Sequence, residues 1–464
     1  VSFVFYDTET TGIDPFFDQI LQFAAIKTDI DFQVEDRFEI RCRLRPHIIP
    51  AAGALRVTGV SIEQCTDPSL PSHLEMALEI SEKIDDWSGS VFLGWNTIPF
   101  DEEFLRQAFY QSLLPPYQTN MNGNMRTDLL PLAQAAYFDS SDVLVVPSNA
   151  QGRPSFKLDQ LAPANGFPHL DAHDAMADVE ATIHIARILR ETAREHWSNL
   201  MRFANKNAAN DFVASERVVV LTEAHFGRAG RYALAPLGTH PEITSEHYCF
   251  DLGHDPSTFA HLNADQLAAA IQRSPKPIRR IRTNRSPVLM SGDDVETVNG
   301  VDIETLEQRA DILDQINGLK PALLEAAIAH HNREYDNQEA EQQIYAGFSQ
   351  NPDQQRMEAF HAAPWNERLT ICRSFDDQRL KRLGLRLICE HAIEYAPANL
   401  SAKYNRFVQR RLQGRDGGEE APWRTLAKAQ EELAEARRDF DDPKGILDGL
   451  ESYLVELEQR YGRT

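Results

Sequence analysis

Cysteine is scarce in this chain: five in 464 residues, at positions 42, 65, 249, 372 and 389, with no CxxC pair among them. So small and scattered a set argues against a disulfide framework and a thiolate zinc site. Long apolar runs are missing too. None approaches the ~20 residues that a membrane-spanning helix needs, and the first residues carry no basic stretch leading into an apolar one. Basic charge is in deficit, with 47 Lys and Arg against 70 Asp and Glu and a net charge of −23. Internal repeats and low-complexity linkers are absent as well. These features predict a reduced, cytoplasmic protein and, taken at face value, argue against a nucleic-acid partner.

What is present changes that reading. With 42% hydrophobic and 25% charged residues the chain can bury a full core, and its length suggests about two to four domains. The distribution of charge matters more than its total. Residues 1–192 carry roughly −15, residues 193–345 about −7 and residues 346–464 about −1. Two basic runs stand out against that background. RSPKPIRRIRTNR (273–285) has six Lys or Arg and no acid, and SAKYNRFVQRRLQGR (401–415) has five with two aromatics. In the second run Lys403, Arg406 and Arg410 recur at helical spacing as one stripe. Solvated faces account for many such runs, but basic patches on an acidic protein are the more telling kind.

Hydrophobic periodicity divides the chain. FVFY (3–6) and ILQFAAIKT (20–28) read as buried strands, and RFEIRCRLRP (37–46) alternates, with Phe38, Ile40, Cys42 and Leu44 on one face. Strands so close together predict an antiparallel meander. HLEMALEISEKIDDW (73–87) has helical spacing, VFLGWN (91–96) reads as a fourth strand, and three more amphipathic helices cover 101–114, 126–137 and 174–191. The result is an α/β layer structure with a mixed sheet over 1–192. VVVLTEAHF, RYALAPL and HYCFDLG then give short strands, with a helical LNADQLAAAIQR after them, so residues 193–345 form a β-rich domain. From about 303 nearly everything is helical apart from breaks at 350–355 and 416–422, and the last forty or so residues read as a helical hairpin. Residues 346–464 are the third, helical domain.

The chemistry begins in FVFYDTETTG (3–12). Asp7 and Glu9, two apart on a strand, project to the same face, and their repulsion needs an arginine or a metal ion to answer it. GWNTIPFDEEF (94–104) puts Asn96 after the fourth strand and Asp101 at the start of a helix. AHDAMADVEATIHIARIL (172–189) puts His173 before a helix and Asp178 in its first turns, with Asp174 suited to the N-cap. Each piece alone has an ordinary structural explanation. Their order does not: this series resembles the DEDD superfamily of 3′→5′ exonucleases in its histidine-bearing branch. The tyrosine branch would have Tyr at position 174, which is Asp. Four converging carboxylates could not all ionise unaided, and hard oxygen ligands suit Mg²⁺ or Mn²⁺. Two such ions would be shared by Asp7, Glu9, Asp178 and Asp101, with Asp7 bridging. His173 would take a proton from the attacking water.

The resemblance reaches further. Residues 152–179, FGRAGRYALAPLGTHPE (226–242), TNRSPVL (283–289) and QIYAGF (343–348) are similar to the matching stretches of the bacterial exonuclease I family. That likeness implies a ribonuclease H-like exonuclease domain with a mixed sheet, an SH3-like β-rich domain that closes a groove over the strand, and an all-helical C-terminal domain. It also implies degradation of single-stranded DNA from the 3′ end to 5′-mononucleotides, in repair or recombination. Arg279, Arg280, Arg282 and Arg285, with Asn284, would follow the phosphates. Arg106 and Tyr117 stand where the family contacts DNA, and Lys157 where its best-known member has arginine. Glu9, Thr10, Thr11 and Asn96 complete the expected substrate side. Relatives dock the acidic tail of the single-strand-binding protein on arginines, and the likeness implies that partner here too; Ser140 stands where one arginine is expected, so these residues do not by themselves license it, and a different basic cluster is the alternative docking place. The alternatives are a 3′→5′ exoribonuclease or oligonucleotide trimmer using the same five residues, and a non-catalytic strand-binding scaffold. With no heptad pattern or clear apolar docking face, a monomer is expected.

Overall fold

Residues Phe3–Thr10 form β1, the central strand of a five-stranded sheet, in a computed structural model that describes residues 2–168, 173–225, 228–331, 339–415, 420–439, 442 and 445–461. Strand β2 (Ile20–Thr28) pairs antiparallel with β1, and β3 (Val34–Arg41) pairs antiparallel with β2. On the other side β4 (Val91–Leu93) and β5 (Met125–Arg126) run parallel, giving the order β3-β2-β1-β4-β5. The sheet is therefore mixed, as the sequence implied. The long helices that pack on it are α1 (His73–Asp86), α2 (Asp101–Gln111), α3 (Leu129–Asp139) and α4 (Ala175–Thr192).

Helices cover both faces of β1, which is why FVFY is a continuous apolar run. Phe3 and Phe5 pack with Leu132, Ala136, Val179 and Ile183 of α3 and α4, while Val4 and Tyr6 pack with Met76, Ile80, Phe104 and Leu105 of α1 and α2. By the same alternation Asp7 and Glu9 continue the Phe3 and Phe5 face, toward α4. Helix α3 starts later than its sequence pattern suggested. The Asp128 side chain accepts from the Leu130 N–H and caps the helix at Leu129, leaving Met125 and Arg126 to extend the sheet.

The next two helices, α5 (Arg194–Phe203) and α6 (Lys206–Ser215), occupy a stretch expected to open the β-rich domain. Trp197 and Leu200 belong to the first core, whereas Phe203 and Phe212 pack under the second sheet, so the pair bridges the two. That second sheet is antiparallel, with β6 (Val219–His225), β7 (Arg228–Thr239), β8 (Glu246–Asp251), β9 (Ile278–Arg282) and β10 (Val288–Ser291) in the order β10-β6-β7-β8-β9. Helices α7 (Ile303–Gln315) and α8 (Leu319–His331) cover its other face. The basic run at 273–285 thus contains β9, with Ile278 and Ile281 turned into the cores.

The last region is helical: α9 (Asn351–Ala362), α10 (Trp365–Ser374), α11 (Gln378–His391), α12 (Ala398–Gln413), α13 (Leu426–Asp439) and α14 (Ile446–Tyr461). The expected break at 416–422 lies partly outside the described residues, at 416–419. Helices α13 and α14 pair as expected, but their apolar faces pack on Leu21, Leu55 and Ile62 of the first domain. Ion pairs also cross between the helical region and the first domain, Glu390 of α11 with Arg45 at 3.1 Å and Arg424, just before α13, with Asp18 at 2.8 Å. All five cysteines are free and buried, and among the described residues no helix is long and apolar enough to cross a membrane.

Candidate active site

Asp7 and Glu9 on β1 meet Asp178 on α4, with one carboxylate oxygen from each lying within 4.8 Å of the others. Asp101 opens α2 and is 3% exposed. Its Oδ1 accepts from the Thr8 N–H at 2.9 Å and the Thr8 hydroxyl at 2.6 Å. Thr8 points away from the Asp7–Glu9 face, so one stretch of strand supplies two ligand candidates and, between them, the group that fixes a third. Burial, and after it the charges of Asp101, Asp178 and Glu9, holds the Asp7 carboxyl well above the usual carboxylate range. Burial, then Asp178 and Asp101, pushes Glu9 up to about 9. Burial also raises Asp101 to about 7, against the pull of the Thr8 hydrogen bonds. The carboxylates repel one another in a dry setting. An all-oxygen donor set under such repulsion fits a hard divalent cation.

His173 sits immediately before the helix. Asp174 is the N-cap of α4, accepting from the Met176 and Ala177 N–H groups. Its other oxygen is held by Gln22 Nε2 at 3.0 Å and Arg41 Nη2 at 2.7 Å. His173 has a left-handed backbone, φ 69°, and its N–H reaches Asp178 Oδ1 at 3.4 Å. This turn brings residues 173 and 178 to one side, which a continuous helix would not do.

The expected substrate groups divide. Asn96 is exposed at φ 65°, with its N–H held by Asp128 at 2.9 Å. Lys157 is exposed nearby in the fold, because Trp95 Nε1 donates to the Phe156 carbonyl at 2.9 Å. Thr11 must be corrected. It is fully buried with its hydroxyl donated to Asp18, so its side chain has no surface for a strand. Thr10 is 6% exposed and donates to the Gly12 carbonyl. Arg106 also departs from expectation. It is 7% exposed, paired with Glu102 at 3.0 Å and laid over the Tyr117 ring at 5.0 Å, so its charge serves the interior. Tyr117 meets Phe348 edge-on as well.

Arg279, Arg280, Arg282 and Arg285 line a groove of 550 Å³ between the middle sheet and Pro131 and Gln134 of α3. None stands alone. Arg279 bonds to Asp251 at 2.9 Å, Arg280 and Arg282 share Glu246, and Arg285 lies 3.5 Å from Glu103. The Asn284 carbonyl is taken by Arg126. In the second basic run Arg410 pairs with Glu339 at 2.8 Å, whereas Lys403 and Arg406 are exposed.

Sequence comparison divides the chain in the same way. Residues 4–186 match the Exonuclease family, 204–326 the Exonuclease I SH3-like domain and 338–457 the Exonuclease I C-terminal domain. Exodeoxyribonuclease I of Haemophilus influenzae is 28% identical over 480 residues, covering 98% of each chain. The chain is homologous to bacterial exonuclease I. The exodeoxyribonuclease I of Escherichia coli is 28% identical over 409 residues, 82% of this chain and 84% of that protein. Two solved exonuclease I structures share the fold at 24% identity, each covering 98% of this chain and 99% of theirs. They are the E. coli protein in complex with a dA16 oligonucleotide, with a TM-score of 0.86, and the Methylocaldum szegediense protein, with 0.84.

In this exonuclease I homologue the surroundings of Ser140, which ends α3, are of mixed charge. Ser140 donates to Asp142, and nearby Arg231 and His196 are both held by Asp139. Sequence reasoning also passed over Thr8, Gln22, Arg41 and Asp128, which orient the named groups. Thr8 alone left a signal, as the polar residue between two same-face acids on a strand. The others act across distances in sequence that no local pattern records.

Proposed function

We propose that this chain is a divalent-metal-dependent exodeoxyribonuclease that degrades single-stranded DNA 3′→5′ to 5′-mononucleotides. The observation that carries the proposal is the convergence of Asp7, Glu9 and Asp178 oxygens beside a buried Asp101 in a homologue of exonuclease I. Asp7, Glu9 and Asp178 are the residues that would hold one Mg²⁺, with Asp101 serving a second and Mn²⁺ as a substitute. Two such ions, when bound, activate the attacking water and stabilise the leaving oxygen of the phosphodiester. Thr8 holds Asp101 in place, and Asp174 holds the turn that carries His173. His173 accepts the proton of the attacking water, a task that suits an imidazole. Asn96, Lys157 and the Arg279–Arg285 side of the middle domain form the path for the strand, its phosphates sharing arginines that now lean on acids. A cytoplasmic setting accords with five free cysteines. One chain supplies every group required, so a monomer suffices.

The test uses oligonucleotides labelled at the 5′ end, as single-stranded DNA, duplex DNA and RNA in parallel. Each is incubated with Mg²⁺ or chelator, with wild type and His173→Ala. The expected outcome is a ladder descending from the 3′ end on single-stranded DNA, lost with chelator and slowed about 10²–10⁴-fold by the substitution. Faster digestion of RNA would move the function to RNA processing, and strand binding without cleavage would leave a scaffold.

A further inference from the structure

We propose that Arg126 and Glu102 are positioning residues that register the 283–286 loop of the middle domain against the metal-ligand end of α2, an inference that rests on the function proposed above. Helix α2 opens with three acids in a row, and each is turned to a different task. Asp101 is held by Thr8 at the candidate active site, and Glu103 lies 3.5 Å from Arg285 in the middle domain. Glu102, between them, is fully buried. Its carboxylate accepts from the Tyr6 hydroxyl at 3.1 Å and the Thr119 hydroxyl at 2.7 Å, and pairs with Arg106 at 3.0 Å and Arg126 at 2.6 Å.

Arg126 is the joint. It ends β5, is 7% exposed, and its other terminal nitrogen donates to the Asn284 carbonyl at 2.7 Å. The next two residues extend the same seam. The Thr127 hydroxyl bonds with that of Ser286, and the Asp128 N–H donates to the Ser286 oxygen at 3.3 Å. Ser286 holds a left-handed backbone at φ 49°, a conformation kept only where surroundings fix it. A planar guanidinium reaching in two directions thus connects the neighbour of Asp101 to the loop that carries Arg285. Buried ion pairs add little net stability, but they constrain geometry strongly. If Arg285 grips a phosphate while Asp101 serves the cleavage centre, the Glu102–Arg126–Asn284 link sets the distance between the two. Its loss should matter in proportion to how many nucleotides must span that distance.

The experiment measures kcat and KM for Arg126→Met, Arg126→Lys, Ser286→Ala and wild type, on a dinucleotide and on a long oligothymidylate, with thermal midpoints alongside. For Arg126→Met, KM on the long strand should rise about tenfold, while kcat on that strand and kcat/KM on the dinucleotide change by less than about threefold. Arg126→Lys should recover part of the loss, since an ammonium can reach one partner of the fork but not both. Ser286→Ala should show the same length dependence more weakly, and carries the comparison if Arg126→Met does not fold. Equal losses at both lengths, or a long-strand KM unchanged in folded variants, would overturn the positioning role and leave the nuclease reading intact. A wild type that cleaves neither substrate would overturn both.

Discussion

Thr8 shows how much a single side chain decides. Its hydroxyl and N–H are the donors that keep buried Asp101 from rising further above the ordinary carboxylate range. Thr8→Val keeps the shape and the backbone donor but removes the hydroxyl. The Asp101 carboxyl should then hold its proton to higher pH, so the acid limb of the kcat/KM profile moves upward and activity at neutral pH falls about three- to tenfold. An unmoved acid limb would show that Asp101 is not the group titrating there. Glu9 makes the second case. Its carboxyl is pushed up to about 9 by burial and by Asp178 and Asp101. The folded, metal-free protein therefore binds a proton that the unfolded chain has released, and stability falls as pH rises from the usual glutamate range toward that value. A divalent cation replaces the proton and relieves the repulsion, so Mg²⁺ should raise the thermal midpoint more at pH 8.5 than at pH 6. The meeting of Asp7 and Glu9 with Asp178 was legible in the sequence, because a strand period put the first two on one face and a helix cap fixed the turn before the third. Thr11 and Arg106 were misjudged because only the packed structure shows where their hydroxyl and charge are consumed.

At the scale of elements, the strand that bears the acids and the helix cap were readable from short-range rules. Alternation on β1 put Asp7 and Glu9 on one face, and the Asx cap at Asp174 separated His173 from α4. Asp174→Ala should destabilise the protein by ~1 kcal/mol through the lost cap and lower kcat by freeing the His173 turn. Asp174→Asn keeps a capping oxygen and should recover most of both, as denaturant melts and steady-state rates would show. Other elements left no such mark. Strand β5 is two residues long, too short for any periodicity, and exists because Asp128 caps α3 and stops it there. Helix α5 places Trp197 and Leu200 in the first core and Phe203 in the second, while α6 packs under the second sheet alone, so which domain each belongs to is set by tertiary contacts that no local pattern records. The basic run at 273–285 read as either a solvated face or a path for phosphates. In the fold Arg279, Arg280 and Arg282 lie on β9, beside β8, and pair with Asp251 and Glu246 at the two ends of that strand.

Across the whole molecule, which is acidic in total, the groove between the middle sheet and α3 gathers Lys276, Arg279, Arg280, Arg282 and Arg285. The α13–α14 pair closes back on the first domain, so the helical region is anchored to the catalytic one. If phosphates share the groove arginines, single-strand affinity should weaken with salt, and Arg285→Ala should reduce the log–log slope by about 0.7 relative to wild type. An unchanged slope would remove Arg285 from the strand path. The central claim is that the β1–α4 carboxylate cluster holds the metal on which hydrolysis depends. It is tested most directly by titrating Mn²⁺ into wild type and Asp7→Asn by paramagnetic resonance, with hydrolysis of single-stranded DNA followed in the same samples. Wild type is expected to bind about two ions per chain and cleave, and Asp7→Asn to remain folded while losing both properties. Full Mn²⁺ binding and undiminished cleavage in folded Asp7→Asn would contradict the account.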